Sequence, residues 1–186
     1  TEQVIMQALA DQVPVYLHDL EAGTADPDTS QADEVMTKVR GDLHLHSDWS
    51  DGGASVERMA RRAKDIGHEY LALTDHSPRL RVARGLSEER LREQLDLVSS
   101  LQEKVAPLRI LTGIEVDILE DGSLDQSDEL LAQLDVVVAS VHSKLRMDKR
   151  SMTARMVWAM ESPHSDILGH CTGRMLVGKG RPPSDF

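Results

Sequence analysis

From residue 40 to residue 170, short apolar runs that end in histidine or a carboxylate alternate with stretches whose apolar residues recur at helical spacing. That order admits few folds. Leu43 and Leu45 alternate with His44 and His46 in a strand rhythm that stops at the turn-like run 47–53. Ser55 can cap a helix on which Val56, Met59, Ala60, Ala63 and Ile66 share a face, with Gly67 placed to end it. A strand is predicted over 70–74. Ser87 opens a second helix with Leu91, Leu95, Val98 and Leu101 on its apolar side, and 109–114 reads as the next strand. Leu130, Leu131 and Leu134 mark a short helix before the continuous apolar run 136–139, the pattern of a strand covered on both faces. Residues 152–160 predict a further helix and 166–168 a last short strand. Strands and helices alternating in this way predict an α/β fold built on a parallel sheet, either open or closed into a barrel.

The ends read differently. Residues 2–10 form a short helix candidate, and 23–34 are acidic, lack an apolar period and read as a linker, so the domain proper is expected to begin at Arg40. Thr1 in place of an initiator Met predicts that the chain is a piece of a longer protein. The 32 acidic residues exceed the 21 Lys plus Arg for a net charge of -11. That is the wrong sign for a broad basic surface gripping nucleic acid, although local patches or bound metal can reverse the field in a cleft. A single cysteine, Cys171, excludes an internal disulfide framework, and no apolar run approaches the roughly 18 residues of a membrane helix. A cytoplasmic location and no membrane partner are the expectation.

Polar residues gathered at one end of successive parallel strands mark where this architecture places its chemistry. His44 and His46 lie on the first strand, Asp75 and His76 just past the second, Glu115 at the end of the third, His142 after the fourth and His170 after the fifth. Two histidines two residues apart on a strand point to one side and can reach a single ion. Asp51 can fold back from its turn beside Gly52 and Gly53 to offer a hard oxygen. Asp75 can orient an imidazole or cap the next segment. Glu115 interrupts an apolar strand, where an unpaired charge would be costly, and its two oxygens can bridge neighbouring ions. His18, His68 and His164 fall outside the pattern. Each residue taken alone has an ordinary packing or surface explanation; the recurrence after five strands is what points to a multinuclear metal centre, with zinc or manganese suited to mixed imidazole and carboxylate ligands and iron a further option.

The run Gly41-Asp42-Leu43-His44-Leu45-His46-Ser47-Asp48-Trp49-Ser50-Asp51-Gly52 resembles the first motif of the polymerase and histidinol phosphatase (PHP) family of phosphoesterases. Leu73-Thr74-Asp75-His76-Ser77, Gly113-Ile114-Glu115-Val116-Asp117, Ala139-Ser140-Val141-His142-Ser143 and Asp166-Ile167-Leu168-Gly169-His170 resemble its later motifs, in order. The resemblance is nearest to the PHP domain at the C-terminus of bacterial family X DNA polymerases. It implies a distorted (β/α)7 TIM-like barrel with two or three divalent metal ions. His44, His46 and Glu115 would surround one, Glu115 would bridge to a second held by His142 and His170, and Asp51 and His76 would surround the third. The family pattern closes with an Asp-x-His pair that is not reached before Phe186, so the barrel is expected to be truncated before its last β/α units. Cys171 stands where close relatives have Pro and is read as a loop residue.

The resemblance further implies hydrolysis by a metal-activated water, with Glu115, His142 and Asp51 in the catalytic centre. Lys144, Arg146 and Arg174 are candidates to clamp phosphate oxygens. Removal of nucleotides from DNA 3′ ends, as in DNA repair, is the leading expectation, with a polymerase portion of the parent protein supplying the grip on DNA. A small-molecule phosphomonoesterase is the alternative, and a structural PHP domain without activity is the third class.

Overall fold

The computed structural model describes residues 32–171. The predicted helix at 2–10 and most of the predicted linker lie outside that range. Residues 32–34, read as linker, belong instead to helix α1 (Ala32–Lys38), where a Lys38–Glu34 pair spans one turn at 2.6 Å. A separate compact unit begins at Arg40.

That unit is α/β. Five parallel strands, β1 (Gly41–Leu45), β2 (Tyr70–Leu73), β3 (Arg109–Asp117), β4 (Val136–Ser140) and β5 (Ile167–Leu168), are hydrogen-bonded in chain order. Helices α2 (Val56–Asp65), α3 (Glu88–Val105), α4 (Asp128–Leu131) and α5 (Lys149–Glu161) fill the crossovers. Strand β3 pairs with β2 through its first four residues and with β4 through its last five. Such stagger tilts strands in barrel-forming sheets, and here the sheet curls into a half-barrel. No helix among the described residues is long and apolar enough to cross a membrane.

Two helices start at the serine caps the sequence predicts, whereas α5 starts at Lys149, three residues before the predicted 152. Ser55 and Ser87 accept hydrogen bonds from the backbone N–H of Arg58 and Arg90, and Asp148 caps α5 through Ser151 N. Gly67 follows α2 at φ +85°, a conformation that only glycine adopts without strain. The interior face of α3 differs from the prediction in one respect: Gln94, rather than Leu95, is fully buried alongside Leu91, Val98, Leu101 and Val105.

Strand parity divides the sheet into two faces. Leu71, Leu73, Ile110, Ile114, Val116, Val137 and Ala139 pack under the helices in two large apolar clusters. Ala72, Val136 and Val138 form a small cluster with Leu111 and Ile167 on the opposite, concave face. Glu115 lies inside β3 rather than at its end, and by the same alternation it shares the concave face with Asp117.

Candidate metal centre

Strand parity continues past the strand ends and delivers the imidazoles to one place. His44 and His46 flank Leu45, which packs toward the helices, so both rings take the concave side; their Nε2 atoms are 3.0 Å apart despite a register irregularity between Asp42 and Leu45. His76 stands three residues past β2 and pairs with Glu115 in an isolated parallel bridge. His142 follows β4 by two residues. His170 follows β5 at φ +20°, and Gly169 before it passes so near Ser140 that a Cβ would collide with the serine Oγ.

Glu115, 2% exposed, is the hub. Its Oε2 lies 3.4 Å from Nε2 of His44, 3.4 Å from Nε2 of His46 and 3.1 Å from Nδ1 of His76. Its Oε1 lies 3.4 Å from Nε2 of His142 and 3.2 Å from Nε2 of His170, and those two nitrogens are 3.2 Å apart. Asp51 completes a further group, its Oδ1 3.6 Å from Nε2 of His76 and 3.7 Å from Nδ1 of His46. Ligand atoms come close enough to share an ion in His44, His46 and Glu115; in His46, Asp51 and His76; in His76, Glu115 and His142; and, with edges of 3.2–3.4 Å, in Glu115, His142 and His170.

These separations test the fit of a metal. An ion about 2.0–2.1 Å from each ligand atom, with ligand–ion–ligand angles of about 90–110°, holds two ligands roughly 2.8–3.4 Å apart. Both triangles that share an oxygen of Glu115 have all their edges between 3.0 and 3.4 Å. Facing these groups, Nδ1 of His46, Nδ1 of His76 and Oε1 of Glu115 are buried without a hydrogen-bond partner. Buried orphans on this scale are costly, and a cation satisfies nitrogen and oxygen lone pairs alike. The residues fit a divalent cation.

The charges agree. Burial pushes the Glu115 carboxyl upward, but contacts with His142, His170, His44 and Ser140 outweigh it and hold the group ionised far below the usual carboxylate range. Burial pulls His142 down, yet Asp117 and Glu115 raise it to about 9. Burial lowers His76, and contact with Glu115 raises His44.

The seven predicted metal ligands thus converge. The remaining site residues divide. Asp75 touches no imidazole: its odd position after β2 turns it to the helix side, where it binds Ser47, Ser50 and Gln94. Lys144 lines a cleft of about 520 Å³ beside His142 and Ser143, and its Nζ lies 3.2 Å from Glu120. Arg146 is exposed and lies outside that cleft, while Arg174 lies outside the described residues. Cys171 is exposed.

Two residues that sequence reasoning passed over matter here. Asp117 accepts from the backbone N–H of His142 at 3.1 Å, and its Oδ1 lies 3.5 Å from the ring Nδ1, so it can orient that imidazole. Its signal was its place two residues after Glu115, on the same face. Arg79 lines the same cleft as Lys144 and stands two residues past the second motif.

The sequence profile of the PHP domain matches residues 42–175. This chain belongs to the PHP family. The chain is 43% identical over 141 residues to the DNA polymerase/3′-5′ exonuclease PolX of Bacillus subtilis, covering 76% of this chain and 25% of that protein. It is 33% identical over 135 residues to a probable phosphatase of Thermoanaerobacter sp., covering 69% of this chain and 52% of the relative. A short stretch of 36 residues is 56% identical to part of the DNA polymerase III subunit alpha of Treponema pallidum. The chain therefore spans about half, or less, of the length of these relatives. Among them the PHP domain occurs both in polymerases and in proteins named as phosphatases.

Proposed function

We propose that residues 40–186 are the partial PHP domain of a metal-dependent phosphoric ester hydrolase, with residues 1–39 as its N-terminal helix and acidic linker, and that its substrate is the 3′ end of DNA. The observation that carries the hydrolase reading is the pair of ligand triangles meeting on the two oxygens of Glu115. In this reading His44, His46 and Glu115 hold one divalent ion, Glu115, His142 and His170 a second, and Asp51 with His76 a third. Zinc or manganese suits these donors.

When bound, such ions supply Lewis acidity, acidifying water and neutralising charge on a phosphoryl group. The chain's own residues do the rest. Glu115 keeps its negative charge in a buried position and fixes the spacing of the two triangles. Asp117 holds the His142 ring with Nε2 toward Glu115. Asp51, half-exposed at the mouth, faces incoming substrate. Arg79 and Lys144, both lining the cleft, are placed to meet phosphate oxygens; Arg146 and Arg174 remain candidates for the same task. No serine elbow or glycine-rich phosphate loop offers a covalent route.

The exonuclease reading is supported by the identity to PolX across three quarters of the chain. A polymerase portion of the parent protein would then supply the hold on DNA that a chain of charge -11 lacks. One observation favours a compact phosphomonoester instead: Glu120 and Asp121 line the same cleft and would repel the further phosphates of a polynucleotide. Seven converging ligands speak against a purely structural domain. The deciding experiment is a side-by-side assay of the whole metal-loaded protein on 3′-ended DNA and on small phosphomonoesters. Nucleotide release supports the exonuclease reading, turnover of monoesters alone replaces it with the second, and turnover of neither rejects the hydrolase.

A further inference from the structure

Asp75 is 1% exposed and has no cationic partner within ion-pair distance among the described residues, an arrangement that needs compensation. It is fully compensated by four donors. Oδ1 accepts from Ser47 N at 2.8 Å and from the Ser50 hydroxyl; Oδ2 accepts from Ser47 Oγ at 2.6 Å and from Gln94 Nε2 at 2.7 Å. Two donors on each oxygen leave this carboxylate little capacity to bind a metal.

What the network touches is specific. Ser47 directly follows His46, Ser50 directly precedes Asp51, and Asp75 directly precedes His76. Each member of the His46, Asp51 and His76 group is thus one covalent step from a residue pinned in this network. The loop between His46 and Asp51 is also held from outside: Arg84 donates to the carbonyls of Asp48, at 3.0 Å, and Ser50, while Arg90 donates to that of Trp49 and lies 5.9 Å over its ring. Gln94 is the one contributor to the Asp75 carboxylate that lies outside both motifs. It is 1% exposed in the middle of α3, a helix that brings no ligand to the centre.

We propose that Gln94 is a positioning residue for the His46, Asp51 and His76 group. Through Asp75 it fixes the loop that carries Asp51 against the end of β2 that carries His76, and so sets how tightly that group holds a divalent cation. This rests on the metal-centre reading above. A buttress serving stability alone would have no reason to affect one ion group more than the others.

The test is titration of the whole protein with Mn²⁺, counting free ion by its paramagnetic resonance signal, alongside thermal unfolding in chelator. Gln94→Met keeps the side-chain length and removes the donor. Ser47→Ala is the milder companion, removing one hydroxyl from the same carboxylate, and it answers the question if Gln94→Met fails to fold. The expected result is that one class of site weakens by about 10- to 100-fold, the range for residues that orient ligands, and clearly more than the others. Wild-type Mn²⁺ binding with only a lowered unfolding midpoint would overturn the proposal, as would equal weakening of every site. A wild-type protein that binds neither Mn²⁺ nor Zn²⁺ would reject the metal centre itself, and the proposal with it.

Discussion

At the scale of single residues, Glu115 concentrates the centre. Gln is nearly isosteric but lacks the charge and offers one oxygen, so Glu115→Gln in the whole protein should remove most phosphoesterase turnover and lower bound metal while leaving the fold intact. Metal content, thermal unfolding and turnover on one preparation check it; normal metal and turnover would take Glu115 out of the centre. His142 gives a pH prediction for the chelated protein. Burial lowers it, but Asp117 and Glu115 lift it from 6.5 to about 9. A raised folded value means that the stabilisation is complete below about pH 6.5 and lost as pH rises through about 9. The unfolding midpoint in chelator should therefore fall across that interval, and Asp117→Asn should move the fall to lower pH. The seven clustered residues were legible in different ways: His44 and His46 on or just past β1, His76, His142 and His170 soon after β2, β4 and β5, Glu115 as a lone charge within an apolar strand, and Asp51 in a glycine-flanked turn. Asp117 was harder to single out, since a carboxylate that orients a ligand has the same sequence appearance as one that caps a turn.

At the scale of elements, the loops that carry the chemistry depend on a buried arginine. Arg155, 1% exposed on α5, donates to the carbonyls of Ile118, Leu119 (2.8 Å) and Ser143 (2.8 Å), joining the loop after β3 to the loop after β4. Those loops border Asp117 and His142. Arg155→Met keeps the aliphatic stem but strands the carbonyls, at a cost of about 1–3 kcal/mol for each one left unpaired. It should lower stability by about 3 kcal/mol or more, measured by denaturant unfolding, and loosen the cleft; a change under about 1 kcal/mol would show that water replaces the guanidinium. Element order and the starts of α2 and α3 were visible from serine caps and apolar period, while the Asp148 cap that starts α5 three residues early was not. The interior of α3 was not: periodicity ranked Leu95 above Gln94 because it scores apolarity, whereas burial of Gln94 depends on a carboxylate 19 residues earlier that needs its amide. Asp75, read as able to orient an imidazole or cap the next segment, instead binds Ser47, Ser50 and Gln94. One residue of strand parity sends it to the other face.

At the scale of the whole molecule, five histidines, Asp51 and Glu115 crowd a half-barrel with buried atoms that lack partners, a cost that bound ions would relieve. A ligand that binds only the folded state adds RT ln(1 + [L]/Kd), about 2.7 kcal/mol at a hundredfold excess over Kd. Chelation should therefore lower the unfolding midpoint by several degrees, and Zn²⁺ or Mn²⁺ should restore it; an unchanged midpoint would mean the residues are stable without a cation. The sequence by itself determined the α/β class, the order of five strands and the identity of the seven clustered residues, because alternation and helical period are local properties written in consecutive residues. Only the tertiary structure decided that β3 is staggered between two neighbours, that both oxygens of Glu115 meet imidazoles from opposite edges of the sheet, and that Asp75 answers to Gln94. Those outcomes depend on the curl of the sheet and on distances between residues far apart in the chain, which no local pattern encodes.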